Sequence, residues 1–385
     1  MTSRKVCVVI TARPSYSRIK TALDAIRDHR DLELQLVVAA SALLDRYGTV
    51  VEEIRRDGFV PDAQVFMVLE GENPVSMAKT TGIGLMELST VFANLGPDVV
   101  VTVADRYETI ATAIAAAYMN IPLVHIQGGE VTGSIDEKVR HAITKLADMH
   151  FVSTEQAAQR VRRMGERRES VVVTGCPSVD LAAVVGASPA LDFDPFERYG
   201  GVGEDVNLRD GYVVVMQHPV TTEYTQARSH VEETLHAVHD VGVPVLWFWP
   251  NVDAGSDGTS KGIRSFREAQ DSSGMHFFKN MAPMDFLRLI ACASCLVGNS
   301  SVGIRESAYL GVPVVNIGSR QAGRERGANV VDCDYDRAFI RSAIDQQISH
   351  GRYTPDHLYG DGAAGPRVAD CIAKMPLTTV KRLAY

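Results

Sequence analysis

Short, mainly apolar runs rich in β-branched residues recur along the chain at 6–10 (VCVVI), 34–38 (LQLVV), 99–103 (VVVTV), 123–126 (LVHI) and 171–173 (VVV). Longer segments of helical period, such as 107–119, lie between them. A strand exposed on one face alternates apolar with polar residues, and a strand covered on both faces does not. These runs therefore predict a parallel sheet with helices on both sides. The series restarts at 212–216 (YVVVM), 243–249 (VPVLWFW), 295–297 (CLV) and 312–317 (VPVVNI). Between the two series, 189–210 (PALDFDPFERYGGVGEDVNLRD) is acidic, carries glycine and proline and has no period, so it reads as a linker. The expectation is an α/β protein of two Rossmann-like domains, 1–180 and 181–364, each built on a parallel sheet. Ligands of such sheets lie beyond the carboxyl ends of the strands, which directs attention to the segment after each run.

Those segments hold the candidate chemistry. The first run is followed by Thr11-Ala12-Arg13-Pro14, which lacks the GxGxxG of a dinucleotide site. Arg13 could meet a phosphate at a helix start, or be an ordinary loop arginine. Ala104-Asp105-Arg106 follows 99–103, where Asp105 either faces a ligand or caps the next helix. After 123–126 come Gln127-Gly128-Gly129-Glu130 and then Gly133-Ser134-Ile135-Asp136-Glu137. Glycines let backbone approach a ligand closely, and Glu130 and Asp136 suit general acid–base work. Ser134 and Glu137 have the spacing of a capping box, so Glu137 reads as structural.

In the second series Pro219 ends the first strand at His218, an imidazole suited to proton transfer or a diphosphate contact. Asn251 occupies the same place after the next strand. Gly298-Asn299-Ser300-Ser301-Val302-Gly303 is expected to open a helix whose amides and two hydroxyls cradle a diphosphate. Glu306, farther along, could accept ribose hydroxyls, and Arg320 and Arg324 add positive charge.

Composition narrows the class. The chain has 385 residues, 45% apolar and 22% charged, as globular proteins do. A net charge of −8 with no basic segment argues against nucleic acid. Six scattered cysteines make no disulfide framework and fit a reducing, cytoplasmic setting; Cys292 and Cys295 read as buried thiols. The longest apolar stretch, 110–126, is broken by Thr112, Asn120 and Pro122, short of the ~20 residues that span a bilayer. The first residues read as a core strand rather than a signal peptide. Neither HExxH nor GxSxG occurs, so no metal and no serine hydrolase is expected.

The strings TARPSYSR, DRYET, HIQGGEVTGSIDEKVRHAITKLADMHFVST, GCPSVD, QHPVTTE, PNVDAGS, GNSSVGIRE, GVPVVNIGSRQAGR and YGDG, in order from Thr11 to Gly362, resemble the hydrolysing UDP-N-acetylglucosamine 2-epimerases. The resemblance implies a GT-B fold closing on a nucleotide sugar, with a terminal helix near 365–385 packed back on the first domain. It implies cofactor-free and metal-free chemistry: loss of the C2 proton as UDP departs, then addition of water to a 2-acetamidoglucal to give N-acetylmannosamine. Carried over by position, Asp105, Asp136 and His218 match functional residues, with Glu130 and Gln127 in the same loop. Arg13, Arg106, Asn251, Ser300, Ser301, Gly303, Glu306 and Arg320 match substrate or UDP contacts. Two or four copies of the chain are expected to assemble. Gln127 departs from the family's HIEGGE, because an amide neither takes nor gives a proton at neutral pH. A non-hydrolysing epimerase, an epimerase for a 2,4-diacetamido-6-deoxy nucleotide sugar, a GT-B glycosyltransferase and a non-catalytic nucleotide-sugar binder stay open at this point.

Overall fold

The structure is a computed structural model that describes residues 3–44, 50–70, 73–103, 106–132, 135–250, 255–269 and 272–384. The chain forms two compact units, residues 1–130, 135–180 and 359–385 in one and 181–358 in the other. Val131 and Thr132, just past Glu130, group with the second unit.

The first unit alternates strand and helix: β1 (Arg4–Ile10), α1 (Arg13–Asp28), β2 (Leu32–Ala39), α2 (Val50–Arg56), β3 (Ala63–Val65), α3 (Pro74–Leu95), β4 (Val99–Val103) and α4 (Thr109–Tyr118). It continues through β5 (Leu123–Ile126), α5 (Asp136–Leu146), β6 (Met149–Val152), α6 (Glu155–Arg163), β7 (Val171–Val173) and the start of α7 (Pro177–Ala187). The sheet order is β3-β2-β1-β4-β5-β6-β7, parallel throughout. Along β1, Val6, Val8 and Ile10 enter one hydrophobic cluster and Cys7 and Val9 the other. Burial on both faces is the reason the run does not alternate.

The second unit holds α8 (Pro195–Tyr199), β8 (Val202–Gly203), β9 (Val213–Met216), α9 (Ala227–Val241), β10 (Val245–Phe248), α10 (Ser256–Ala269), β11 (Met275–Phe278) and α11 (Pro283–Cys292). It ends with β12 (Cys295–Gly298), α12 (Glu306–Tyr309), β13 (Val314–Ile317), β14 (Val330–Cys333) and α13 (Arg337–His350). Its order is β14-β13-β12-β9-β10-β11-β8, with only β8 antiparallel, against β11. The expected linker is folded: Phe196 stacks on Phe278, and Arg198 donates to Asp285 at 2.8 Å.

The terminal helix α14 (Ala364–Lys374) is shorter than the expected 365–385 and belongs to the first unit. Val368, Ala369 and Ile372 join the α1 side of the core, and a side chain at Gly365 would strike the backbone of Thr21 at 2.6 Å. The Asp180 carboxylate accepts from the first two amides of α14, Ala364 at 2.9 Å and Gly365 at 2.7 Å, and from the Thr21 hydroxyl. A side chain from elsewhere thus satisfies amides that a helix start leaves unpaired.

A charged cluster underlies β6. Burial alone would push the Glu166 carboxyl up, but hydrogen bonds from His150, Lys145 and Lys381 hold it at about 2, against an ordinary 4.5. A carboxyl lowered on folding stabilises the fold above its unfolded value and loses that contribution as pH falls through the folded one. Wild type is therefore expected to exceed Glu166→Gln in unfolding free energy by roughly 2 kcal/mol at neutral pH. That margin should shrink from about pH 4.5 towards 2. Urea titrations at pH 7, 4 and 3 check it, and a constant margin would remove ionisation of Glu166 as its cause.

Candidate functional site

The direction of strand addition reverses between β1 and β4 in the first unit and between β9 and β12 in the second. At such switch points, chain exits diverge and leave room beyond the carboxyl ends of the strands. In the first unit, Arg13 begins α1 directly after β1, with Ala12 extended before it and no side chain capping the helix. Burial lowers the Arg13 guanidinium from its ordinary value, and Glu53 on α2 opposes this. Arg106, after β4, donates from Nε to Oε1 of buried Glu108 at 2.7 Å. Asp105 lies outside the described residues, as do Asn251 and Ser134.

The turn after β5 is built tightly. Gln127 sits in the left-handed region at φ 65°, followed by Gly129 at φ 75°. A side-chain carbon at Gly128 would lie 2.9 Å from His125 Nδ1, and one at Gly129 would lie 2.3 Å from the Ala157 carbonyl. Gln127 is 1% exposed; its Nε2 donates to Cys176 Sγ at 3.0 Å, and its buried Oε1 has no hydrogen-bond partner. A left-handed non-glycine residue and an unsatisfied amide oxygen are both unfavourable, and the two coincide in this one turn. Glu130 is 4% exposed, with Ser153 Oγ donating to Oε1 at 3.1 Å and Arg140 donating to its carbonyl at 2.9 Å. Asp136 is the first residue of α5. The residue before α5 is Ile135, which has no capping side chain. Glu137 accepts from Arg140 at 3.1 Å and from His141 at 2.8 Å.

In the second unit β9 ends at Met216, two residues before His218. Gly298, at φ 129°, passes so close that a side-chain carbon would lie 2.2 Å from the Met216 carbonyl. This approach brings the exits of β9 and β12 together. The fully buried Asn299 accepts from the His218 amide at 2.7 Å and donates to the His218 carbonyl at 2.8 Å. The helix expected after Ser300 is replaced by a 3-10 turn, Ser301–Gly303, then the single turn of α12. Ser300 caps the 3-10 turn through Val302 N, and Gly303 packs its backbone against Val314. Glu306 begins α12 rather than lying a turn inside a helix; its Oε2 is buried without a hydrogen-bond partner. Arg320 Nη1 and Gln321 Nε2 both donate to the Asn299 carbonyl, at 3.1 and 2.8 Å. Arg324 instead donates to the Val131 carbonyl at 3.1 Å.

Tyr335, which carries no signal in the sequence, lies in the second unit. The Tyr335 ring stacks on His230 at 3.6 Å and fills the space a side chain at Gly318 would need. Burial, with help from Glu223, pushes the Tyr335 hydroxyl up to about 12, so it stays protonated. Tyr335 follows β14, whose half-exposed VVDC carries too little apolar signal to announce a strand.

A family model described as UDP-N-acetylglucosamine 2-epimerase matches residues 24–373. A UDP-N,N'-diacetylbacillosamine 2-epimerase (hydrolyzing) of Legionella pneumophila is 32% identical over 374 residues, covering 97% of each chain. A UDP-N-acetylglucosamine 2-epimerase of Neisseria meningitidis is 29% identical, covering 93% of this chain and 91% of that one. Among solved structures, a Neisseria meningitidis UDP-GlcNAc 2-epimerase bound to UDP-GlcNAc superposes with a TM-score of 0.80 at 16% identity, over 96% of this chain and 100% of that one. The Methanocaldococcus jannaschii enzyme in complex with UDP-GlcNAc and UDP gives 0.79 at 16% identity, over 96% and 99%. The fold is GT-B.

Proposed function

Since the chain belongs to the UDP-N-acetylglucosamine 2-epimerase family, we propose that it acts on a UDP-linked 2-acetamido sugar and does so hydrolytically. The observation that carries this reading is the likeness, over 97% of the chain, to a relative named as hydrolyzing. A carboxylate of the first unit takes the C2 proton while the bond from C1 to the diphosphate oxygen breaks and its electron pair leaves with UDP. Water then adds across the resulting double bond, its oxygen to C1 and a proton to C2 on the opposite face. Asp105, Glu130 and Asp136 are the groups assigned to these proton transfers; Glu130 and Asp136 are held on the turn after β5 and at the head of α5. Ser300, Ser301, Arg320, Arg13 and the Asn299-braced loop of His218 are assigned to the anionic diphosphate of UDP, which amides, hydroxyls and guanidinium groups match.

The Legionella relative's name favours a second sugar, the 2,4-diacetamido-6-deoxy analogue. Incubating the protein with each UDP-sugar in oxygen-18 water separates the readings. UDP release without an acceptor, with the label at C1 of the free sugar, is expected. Recovery of a UDP-linked epimer instead would make the enzyme non-hydrolysing, and dependence on an acceptor alcohol would make it a transferase.

Gln127 tests the proton network. A carboxylate in its sealed position is desolvated, which raises its pKa and, by repulsion, those of nearby acids. Gln127→Glu is expected to fold and turn over, with the acidic limb of its pH–rate profile moved upward. Superimposable profiles would place position 127 outside proton transfer.

A further inference from the structure

The segment beyond α14 has no regular structure, yet it is pinned to the first unit. Lys381 sends its ammonium to the Thr144 carbonyl at 3.1 Å, to the Ala147 carbonyl, and to the Glu166 carboxylate at 2.6 Å. The Ala384 amide donates to the Gly165 carbonyl at 2.9 Å, beside the Leu383 side chain. Thr144 and Ala147 lie at the carboxyl end of α5. The last carbonyls of a helix have no partner within it and form its negative pole. Lys381 therefore caps α5 from a distant part of the chain.

What α5 carries gives this cap its interest. The helix is 11 residues long, a rod of roughly 16 Å, and Asp136 opens its other end. Midway, the buried Arg140 donates to the Glu130 carbonyl, and Thr144 Oγ1 lies 3.2 Å from Nδ1 of His125, two residues before Gln127. The helix thus touches His125 at the end of β5 and Glu130 at the far end of the turn that follows.

We propose that Lys381 is a positioning residue for the reaction: by fixing the carboxyl end of α5 it sets the placement of Asp136 and of the Glu130 turn. The proposal rests on the reading that these carboxylates move protons. It is tested in the full chain with Lys381→Met, which keeps the stem and loses the charge, and Lys381→Arg, which keeps the charge. Two readouts are taken well below the unfolding transition: amide hydrogen exchange across 127–147, and kcat and KM. In Lys381→Met, exchange at the turn and the first turn of α5 is expected to quicken by about tenfold or more. With it, kcat should fall about tenfold at nearly constant KM, since small misplacements of a catalytic group cost rate. Lys381→Arg should restore both. Quickened exchange confined to 144–147, or an unchanged kcat, would overturn the proposal and leave Lys381 a local strap. If Lys381→Met does not fold, Lys381→Gln is judged by the same readouts. If wild type turns over no 2-acetamido sugar, the functional reading fails on its own. Exchange then decides whether Lys381 places the turn.

Discussion

Turnover in heavy water is expected to leave deuterium at C2 of the released sugar, and Asp136→Asn is expected to lower kcat by about 10² or more. The isotope result follows because elimination discards the original C2 hydrogen and addition draws a new one from solvent-exchanged groups. The rate result follows from the assignment of Asp136, at the head of α5, to proton transfer, since an amide of the same shape cannot exchange a proton. Asp105→Asn should have an effect of the same order. Glu137 is the internal control: it neighbours Asp136, but its carboxylate is taken up by Arg140 and His141. Glu137→Gln should cost far less in kcat than Asp136→Asn. Product that retains its original C2 hydrogen would exclude abstraction and addition, whatever the variants do.

Gly129→Ala should be the most damaging small substitution in the turn. Its φ of 75° already disfavours any side chain, and the added carbon would lie 2.3 Å from the Ala157 carbonyl and 2.7 Å from Val161 Cγ2. The carbonyl belongs to the backbone of α6, so relief requires moving the helix or the turn that carries Glu130. The expected loss is about 3–5 kcal/mol of stability, the range of severe backbone and overpacking effects. Gly242 provides the comparison. It has φ 74° at the end of α9 with nothing within 4 Å of an added carbon. Gly242→Ala should cost only the ~1–2 kcal/mol of the left-handed conformation. Denaturant titration of the two variants checks the difference, and equal losses would mean that contact with α6 is not what the turn requires of glycine.

The strands with a plain sequence signal and those without one differ in composition. Runs such as 99–103 announce themselves because every position faces a core. β3 has three residues at a sheet edge, and β14, at the other sheet's edge, is only partly buried. β6 and β11 each carry a histidine whose partners are remote. His150 meets Glu166, and the His276 ring lies between the carbonyls of Gly200 and Glu204. Those carbonyls come from the stretch that reads as a linker, so one set of contacts hid both a strand and the order of the segment beside it. In the same way Ser300 opens a 3-10 turn rather than a helix.

The sequence by itself determined the two-sheet architecture and the loops that carry the polar residues, because burial on both faces demands continuous apolar runs and leaves chemistry to the segments between them. Tertiary structure alone decided what each polar group touches: Arg106 engages Glu108, Gln127 engages Cys176, Asn299 braces His218, and Lys381 reaches Thr144 across 237 positions. Apolar burial depends on local pattern and is written along the chain. A hydrogen bond or ion pair depends on ångström distances between segments that meet only after the sheets have formed.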